Sequence, residues 1–300
     1  MSLVRLRTFI EVYRQRSISA AARMLNLTQP AVSQHIAGLE VAVGRPLFER
    51  QVNGVSPTSA ADELAADIGD KLDAVEAALA SARARSRDVS GALQLIGHTD
   101  FMAENLAPEL APLLEAGIRV RMHTGDGPMV TQMLLEGHCD LGISAHPVTD
   151  SRLKSEILLT DKVIAVASPA VVERIEQAAE FNKALLNEPL LAYNLELSLV
   201  DAWLNANRID APNLIPAMVG QDLRAHRNLL VQGIGWSVLP HFLCEKQLNS
   251  GELKFIPPPR TNTEIIYYLI WLPSALRQPR VAHARTVLLG SLQGDGEVCS

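Results

Sequence analysis

The chain has 300 residues, more than one ordinary hydrophobic core accommodates, and suits two or three domains. Apolar residues make up 48% and charged residues 20%, a globular balance that excludes a disordered or fibrous chain. Charge is uneven: seven arginines and no lysine against three glutamates give residues 1–60 a formal +4, leaving −10 for the remainder of a chain whose total is −6. A basic head on an acidic body is expected when only one domain meets a polyanion. No apolar run reaches the length of a membrane span, and arginines interrupt the opening "MSLVRLRTFIEVYRQRS", so neither export signal nor membrane contact is expected. Cys139, Cys244 and Cys299 are odd in number and widely spaced, which argues against a disulfide framework or a metal site and for a reducing cytoplasm.

In chain order, Leu3, Leu6, Phe9, Ile10 and Tyr13 recur at helical spacing and predict a supporting helix over 3–14. Ser19 is placed as the N-cap of a second helix through Ala20, Ala21, Ala22, Met24 and Leu25, turned at Asn26–Leu27. Thr28 caps a third helix with Pro30 in its first turn, and Val32, Ile36, Leu39 and Val43 bury one side. The opposite side carries Gln29, Ser33, Gln34 and Ala37, short or amide-bearing groups that suit a major groove. Then "RPLFERQVNGVSPT" offers Leu47 and Phe48 to the core, and Asn53–Gly54 predicts a hairpin wing presenting Arg45 and Arg50 to phosphates.

The words "FIEVYRQRSISAAARMLNLTQPAVSQHIAGLE", "GRPLFER" and "PTSAADEL" resemble the N-terminal domain of LysR-type transcriptional regulators, with two departures, at Thr58-Ala61-Asp62 and at Gln34. The resemblance implies a winged helix-turn-helix over 1–58 that contacts double-stranded DNA through Ser19, Arg23, Gln29, Pro30, Ser33, Gln34, Arg45 and Arg50. From 59 to 88 the chain reads as a linker helix with Leu64, Ile68, Leu72, Val75 and Leu79 as a seam, early acids and late arginines (Arg83, Arg85, Arg87). In the family such a helix dimerises, and "SRDVSGAL" (86–93) breaks it into a hinge.

Residues 89–300 alternate short apolar strands with helices, a βαβ rhythm. Strands are expected in "ALQLIG", "IRVRMHTG", "CDLGIS", "KVIAVASP", "LLAYN", "IPAMVG", "WSVLP" and "EIIYYLIWLP", and helices in "LAPELAPLLEAG", "MVTQMLLEG", "LVDAWLNANRI" and "LRAHRNLLVQGIG". "GHCDLGIS" and "LLVQGIGWSVLPHFL" resemble the family's effector domain, a two-lobed periplasmic-binding-protein-like (type 2) α/β fold, with lobe I over 89–162 and 266–300 and lobe II over 163–265. The fold class is thus α/β with a helical winged head, a long linker helix and this two-lobed body.

Ligands of open α/β sheets sit beyond the carboxyl ends of strands. That rule selects His98, Thr99, Asp100 and Phe101, then Thr124, Gly125 and Asp126, then Ser144, Ala145 and His146, and from the other lobe Tyr193, Asn194, Gly220, Gln221 and Asp222. Asp100 and Asp126 disfavour a carboxylate ligand and favour a cationic or donating one, unless both cap helices and face solvent. No catalytic residue is assigned: nucleophile elbow, P-loop, dinucleotide and metal patterns are missing, and Cys139 reads as a buried thiol. The expected function is an effector-responsive DNA-binding regulator without cofactor, self-associating as a dimer or dimer of dimers, with RNA polymerase a candidate partner. A solute-binding protein or an enzyme on the same scaffold is the alternative.

Overall fold

The computed structural model describes residues 3–51, 54–84, 91–257 and 260–294. Asn53, Arg85, Arg87, most of the 86–93 hinge, the Arg83 side chain and the tail with Cys299 lie outside the described residues. Two units organise the chain. The first gathers the residues up to Ala84 with Asp150–Leu153 and Pro273–Ala282, and the second holds the rest.

In the first unit, α1 (Leu3–Gln15), α2 (Ile18–Leu25) and α3 (Gln29–Val43) close on Phe9, Ile10, Val12, Ala21, Ala22, Val32, Ile36 and Leu39. Leu3 is half exposed, because the stripe meets the core only from Leu6 onward. The cap of α2 is Ser17 rather than Ser19: its extended backbone lets its hydroxyl accept from the Ala20 N–H, so Ser19 falls in the first turn. Asn26 ends α2 in the left-handed region (φ 51°), and the Leu27 N–H returns to the Ala22 carbonyl. Thr28 caps α3, whose first turn accepts Pro30 because an N–H there has no intrahelical partner.

Strands β1 (Phe48–Gln51) and β2 (Gly54–Pro57) form the wing, Gln51 opposite Gly54. The Glu40 carboxylate accepts from the Leu47 and Phe48 N–H groups (2.8 and 3.3 Å), and Val55 N–H donates to the Arg16 carbonyl (3.0 Å), which moors the wing at both ends. Thr58 then starts α4 (Ser59–Ala84), 26 residues long. Its stripe divides: Leu64, Ile68 and Leu72 pack on the head, whereas Val75 and Leu79 are about half exposed (47% and 48%). Arg14 pairs with Asp73, and Arg277 reaches Glu76 (2.9 Å) and the buried Glu11 (3.7 Å), tying the 273–282 segment to α1 and α4.

The second unit opens with β3 (Gly91–Gly97), β4 (Ile118–Thr124), α7 (Gly127–Leu135) and β5 (Leu141–Ser144). The helix expected over "LAPELAPLLEAG" is fragmented. A 3-10 turn (Ala107–Leu110) and α6 (Ala111–Glu115) replace it, since Pro108 and Pro112 cannot donate to the preceding turn, and a short turn α5 (Thr99–Phe101) with a π turn (Met102–Leu106) precedes them. The long β6 (Lys154–Ala167) leads to α8 (Pro169–Glu176), α9 (Phe181–Asn187), β7 (Leu190–Ala192), α10 (Ser198–Asn207), β8 (Met218–Val219), α11 (Leu223–Val231) and β9 (Trp236–Pro240). After α12 (His241–Ser250) and β10 (Lys254–Phe255), β11 (Thr263–Trp271) returns before a 3-10 turn (Ala275–Arg277) and α13 (Pro279–Gly294).

The sheet order is β4-β3-β5-β11-β6-β9-β7-β8, with β10 on β6. β3 pairs in parallel with β4 and β5, and β7 with β8 and β9, so each lobe has its own parallel core. β6 and β11 run antiparallel between them. Lobe II packs Trp203 on Trp236, ring centroids 6.2 Å apart, beneath β6 and β9.

Gly235, before β9, has φ +66°, and a Cβ there would lie 2.0 Å from the Pro189 carbonyl oxygen. Gly251, the C-cap of α12, has φ +76° and open space around it. Urea denaturation should therefore show Gly235→Ala losing well over about 2 kcal/mol and Gly251→Ala only about 1 kcal/mol. Equal losses would contradict the packing of β9 against Pro189.

Candidate DNA-reading face and ligand cleft

The buried side of α3 (Val32, Ile36, Leu39) fixes what its other side presents. Gln29, Pro30, Gln34 and Ala37 are exposed and Ser33 half-buried, at three- and four-residue spacing on one surface. Arg23 on α2 is exposed, and Ser19 is half-buried one turn earlier. Arg45 and Arg50 are both exposed, on the loop after α3 and on β1; Arg45 makes a 3.4 Å pair with Glu63, open to water and therefore weak. His35, on the inner flank of α3, meets the Thr8 hydroxyl at 2.9 Å and is structural.

In the second unit, the strand-end residues converge on a cleft of two adjoining chambers that share His98 and Tyr193. One, of about 190 Å³, is lined from the expected set by His98, Asp100, Ala145, His146 and Tyr193. The other, of about 250 Å³, takes Thr99, Thr124, Gly125, Asp126 and Gln221, with Met129 beside them. Three expected residues do other work. Phe101 is wholly buried against Tyr267 (4.3 Å) and Phe242. Asn194 accepts from the Ser198 N–H at the start of α10, and Asp222 caps α11 while holding Arg224 at 2.8 and 2.7 Å. Gly220 and Ser144 also line neither chamber; the Gly220 carbonyl accepts from buried His226 Nε2 (2.9 Å).

Lining residues missed by the strand-end rule come from other places. Ser198, Leu199 and Ala202 lie on α10, Leu223 opens α11, and Val163 with Thr263, Glu264, Ile265 and Tyr267 belong to the antiparallel β6 and β11. Strand geometry brings Thr263, Ile265 and Tyr267, every second residue of β11, to one face, but the nearly continuous apolar run "IIYYLIW" gives no signal of which face that is.

The two aspartates part company. Asp126 is exposed and accepts from the Met129 N–H as the cap of α7. Asp100 is buried, and burial raises its pKa to about 6, against the opposing pull of its own and the Phe101 backbone N–H groups. His98 lies 3.4 Å from the Tyr193 hydroxyl through Nδ1 and has no partner at Nε2 among the described residues. Burial, and then the neighbouring His146, lower its pKa to about 4. Cys139 and Cys244 are buried thiols pushed up to about 11 and about 12, far from a reactive thiolate. Among the described residues no group of three His, Cys, Asp or Glu side chains could hold a metal ion, and no helix is long and apolar enough to cross a membrane.

Comparison with known proteins gives concordant results. Residues 3–62 match the family described as bacterial regulatory helix-turn-helix protein, lysR family, and residues 87–293 match the LysR substrate binding domain. The HTH-type transcriptional regulator AbaB of Streptomyces antibioticus is 33% identical over 295 residues, 95% of this chain and 96% of AbaB. The HTH-type transcriptional regulator ArgP of Klebsiella pneumoniae is 29% identical over 275 residues, 91% of each chain. Two solved structures share the fold. CrgA from Neisseria meningitidis has TM-score 0.62 at 20% identity, covering 97% of this chain and 99% of CrgA. LysG from Corynebacterium glutamicum with bound effector Arg has TM-score 0.53 at 19% identity, covering 95% and 98%.

His98 and Asp100 give opposite pH dependences. Asp100 binds its proton more tightly when folded, so its contribution is full below pH 3.8 and is lost as pH rises toward 6. His98 is kept neutral by the fold, so its contribution is present above pH 6.5 and is lost as pH falls toward 4. Each is worth at most about 3 kcal/mol. In thermal unfolding between these limits, Asp100→Asn should gain stability with rising pH relative to the parent, and His98→Gln should lose it. Parallel curves for all three proteins would contradict the assigned burial.

Proposed function

The chain belongs to the LysR family of transcriptional regulators, with a DNA-binding helix-turn-helix and an effector-binding domain, and we propose that α3 is its recognition helix and the two-chambered cleft its effector site. The observation that carries the reading is the two-sidedness of α3: Val32, Ile36 and Leu39 bury one side and leave Gln29, Ser33 and Gln34, without bulk, on the other. Such groups donate and accept at base edges while the helix sits deep in the major groove. Arg23, Arg45 and Arg50 hold phosphates, and Ser19 and Pro30 flank the contact.

Half-exposed Val75 and Leu79 supply the apolar seam on which a second copy's α4 packs. The resulting dimer presents two recognition helices at half-sites about one DNA turn apart, and two dimers make the working tetramer. Ligand in the cleft favours one relative orientation of the two lobes, and that preference changes DNA bending by as much as the ligand's differential affinity for the two states. In this reading the protein works in the cytoplasm, engages RNA polymerase at the promoter and catalyses no reaction.

Gel-shift titration with the DNA upstream of its own coding region tests the head. Ser33→Asp or Gln34→Glu should weaken specific binding about tenfold to a hundredfold with unchanged circular dichroism, whereas Arg50→Ala should weaken all sequences alike and reduce the salt slope by about one. Unchanged affinity in the α3 variants would overturn the recognition helix. For the seam, sedimentation should find the Val75→Asp/Leu79→Asp double variant dissociated where the parent is dimeric or larger; an intact oligomer would place the interface elsewhere.

A further inference from the structure

The charge inventory of the cleft bears on the chemistry of its ligand. The residues lining the two chambers include three carboxylates, Asp100, Asp126 and Glu264, and no lysine or arginine. Nearby guanidinium groups are already engaged: Arg224 is bidentate on Asp222, and Arg227 is held by Glu104 (3.2 Å) and the Leu243 carbonyl (3.0 Å). A carboxylate or phosphate entering this space would meet like charge with no lysine or arginine among the lining residues to answer it; the exposed Lys162 stands outside the lining, opposite Glu264 in the β6–β11 ladder.

The inner chamber is otherwise mainly apolar and aromatic, with the Ser198 and Thr263 hydroxyls and the His146 ring among its lining. Val163, Leu199, Leu223 and Ile265 form an apolar bed, and the Tyr193 and Tyr267 rings stand beside Asp100 on the wall. His98, nine-tenths buried, leaves Nε2 unpartnered at the junction of the chambers. In the tautomer whose Nδ1–H donates to the Tyr193 oxygen, Nε2 is a bare acceptor that burial leaves without a partner among the described residues. Aromatic faces near a carboxylate are a favourable seat for an ammonium group, through the ring quadrupole and direct ion pairing.

We propose that the cleft selects a cationic amphipath, an amine whose ammonium group answers Asp100 and its aromatic neighbours while its apolar body lies on Leu199, Leu223 and Ile265. The inference rests on the cleft being the effector site and adds the sign of the effector's charge. Glu264, exposed in the lining and opposite Lys162 in the β6–β11 ladder, adds a further negative charge that this lysine partly offsets.

Isothermal titration of the full-length protein with matched pairs tests it: phenethylamine against 3-phenylpropionate, and butylamine against butyrate, each up to millimolar concentration. The amines should bind and the acids should not. Asp100→Asn should weaken the amine about tenfold or more, and Glu264→Gln, at an exposed position that cannot disturb folding, should weaken it less. Ala202→Trp, on the cleft face of α10, should abolish binding. An acid that binds as well as its amine, amine binding indifferent to both carboxylate variants, or silence from every amine overturns the proposed charge selection. Acid binding that Ala202→Trp removes would leave the cleft as the effector site while the charge inference falls; binding that ignores Ala202→Trp would remove the cleft reading itself.

Discussion

Strands β6 and β11 lie antiparallel from Val163 opposite Thr263 to Lys154 opposite Trp271, with one register shift at Tyr267–Tyr268. Everything in the second unit hangs on this ladder. β5 joins β11 on one side and β9 joins β6 on the other, so two parallel sheets of separate chain segments share one antiparallel spine. Because parallel strands end at the same edge, each lobe turns its strand-end loops toward the cleft, and the spine contributes Val163, Thr263 and Ile265 as the floor.

The first unit meets a different constraint. A small helical head has little mass with which to hold α3 in place, and it does so with close-packed Ala21 and Ala22, the wholly buried Phe9 and a wing anchored through Glu40 and Arg16. The buried Glu11, facing Arg277, and the Arg14–Asp73 pair add charge to this packing, which specifies one arrangement of α1, α4 and the 273–282 segment more than it adds stability.

Legibility in the sequence followed physical range. Helices of the head were readable because their periodicity, caps and turn residues act within a few positions, as Thr28, Pro30 and Asn26 do. The one misplaced cap, Ser19 for Ser17, is a choice between two serines that only backbone conformation decides. The strand-end rule found His98, Asp100, His146 and Tyr193, whose positions follow from parallel topology alone. It could not find Thr263, Glu264, Ile265 and Tyr267, because these reach the cleft through a pairing between strands about a hundred positions apart, or Ala202, which lies within a helix rather than at a strand end. Phe101 and Asp222 line neither chamber for a related reason: the residue after a strand end either faces the cleft or turns inward, and the neighbouring element decides.

The most direct test of the account is a salt-dependent anisotropy titration of the full-length protein on DNA from upstream of its own coding region, beside a scrambled fragment of equal length. A basic head that reads sequence predicts affinity for the upstream DNA about a thousandfold above the scrambled fragment, with both falling linearly in log salt. Equal affinities for the two fragments at every salt concentration would mean that the head binds phosphates without reading bases there, and would contradict the role given to Gln29, Ser33 and Gln34.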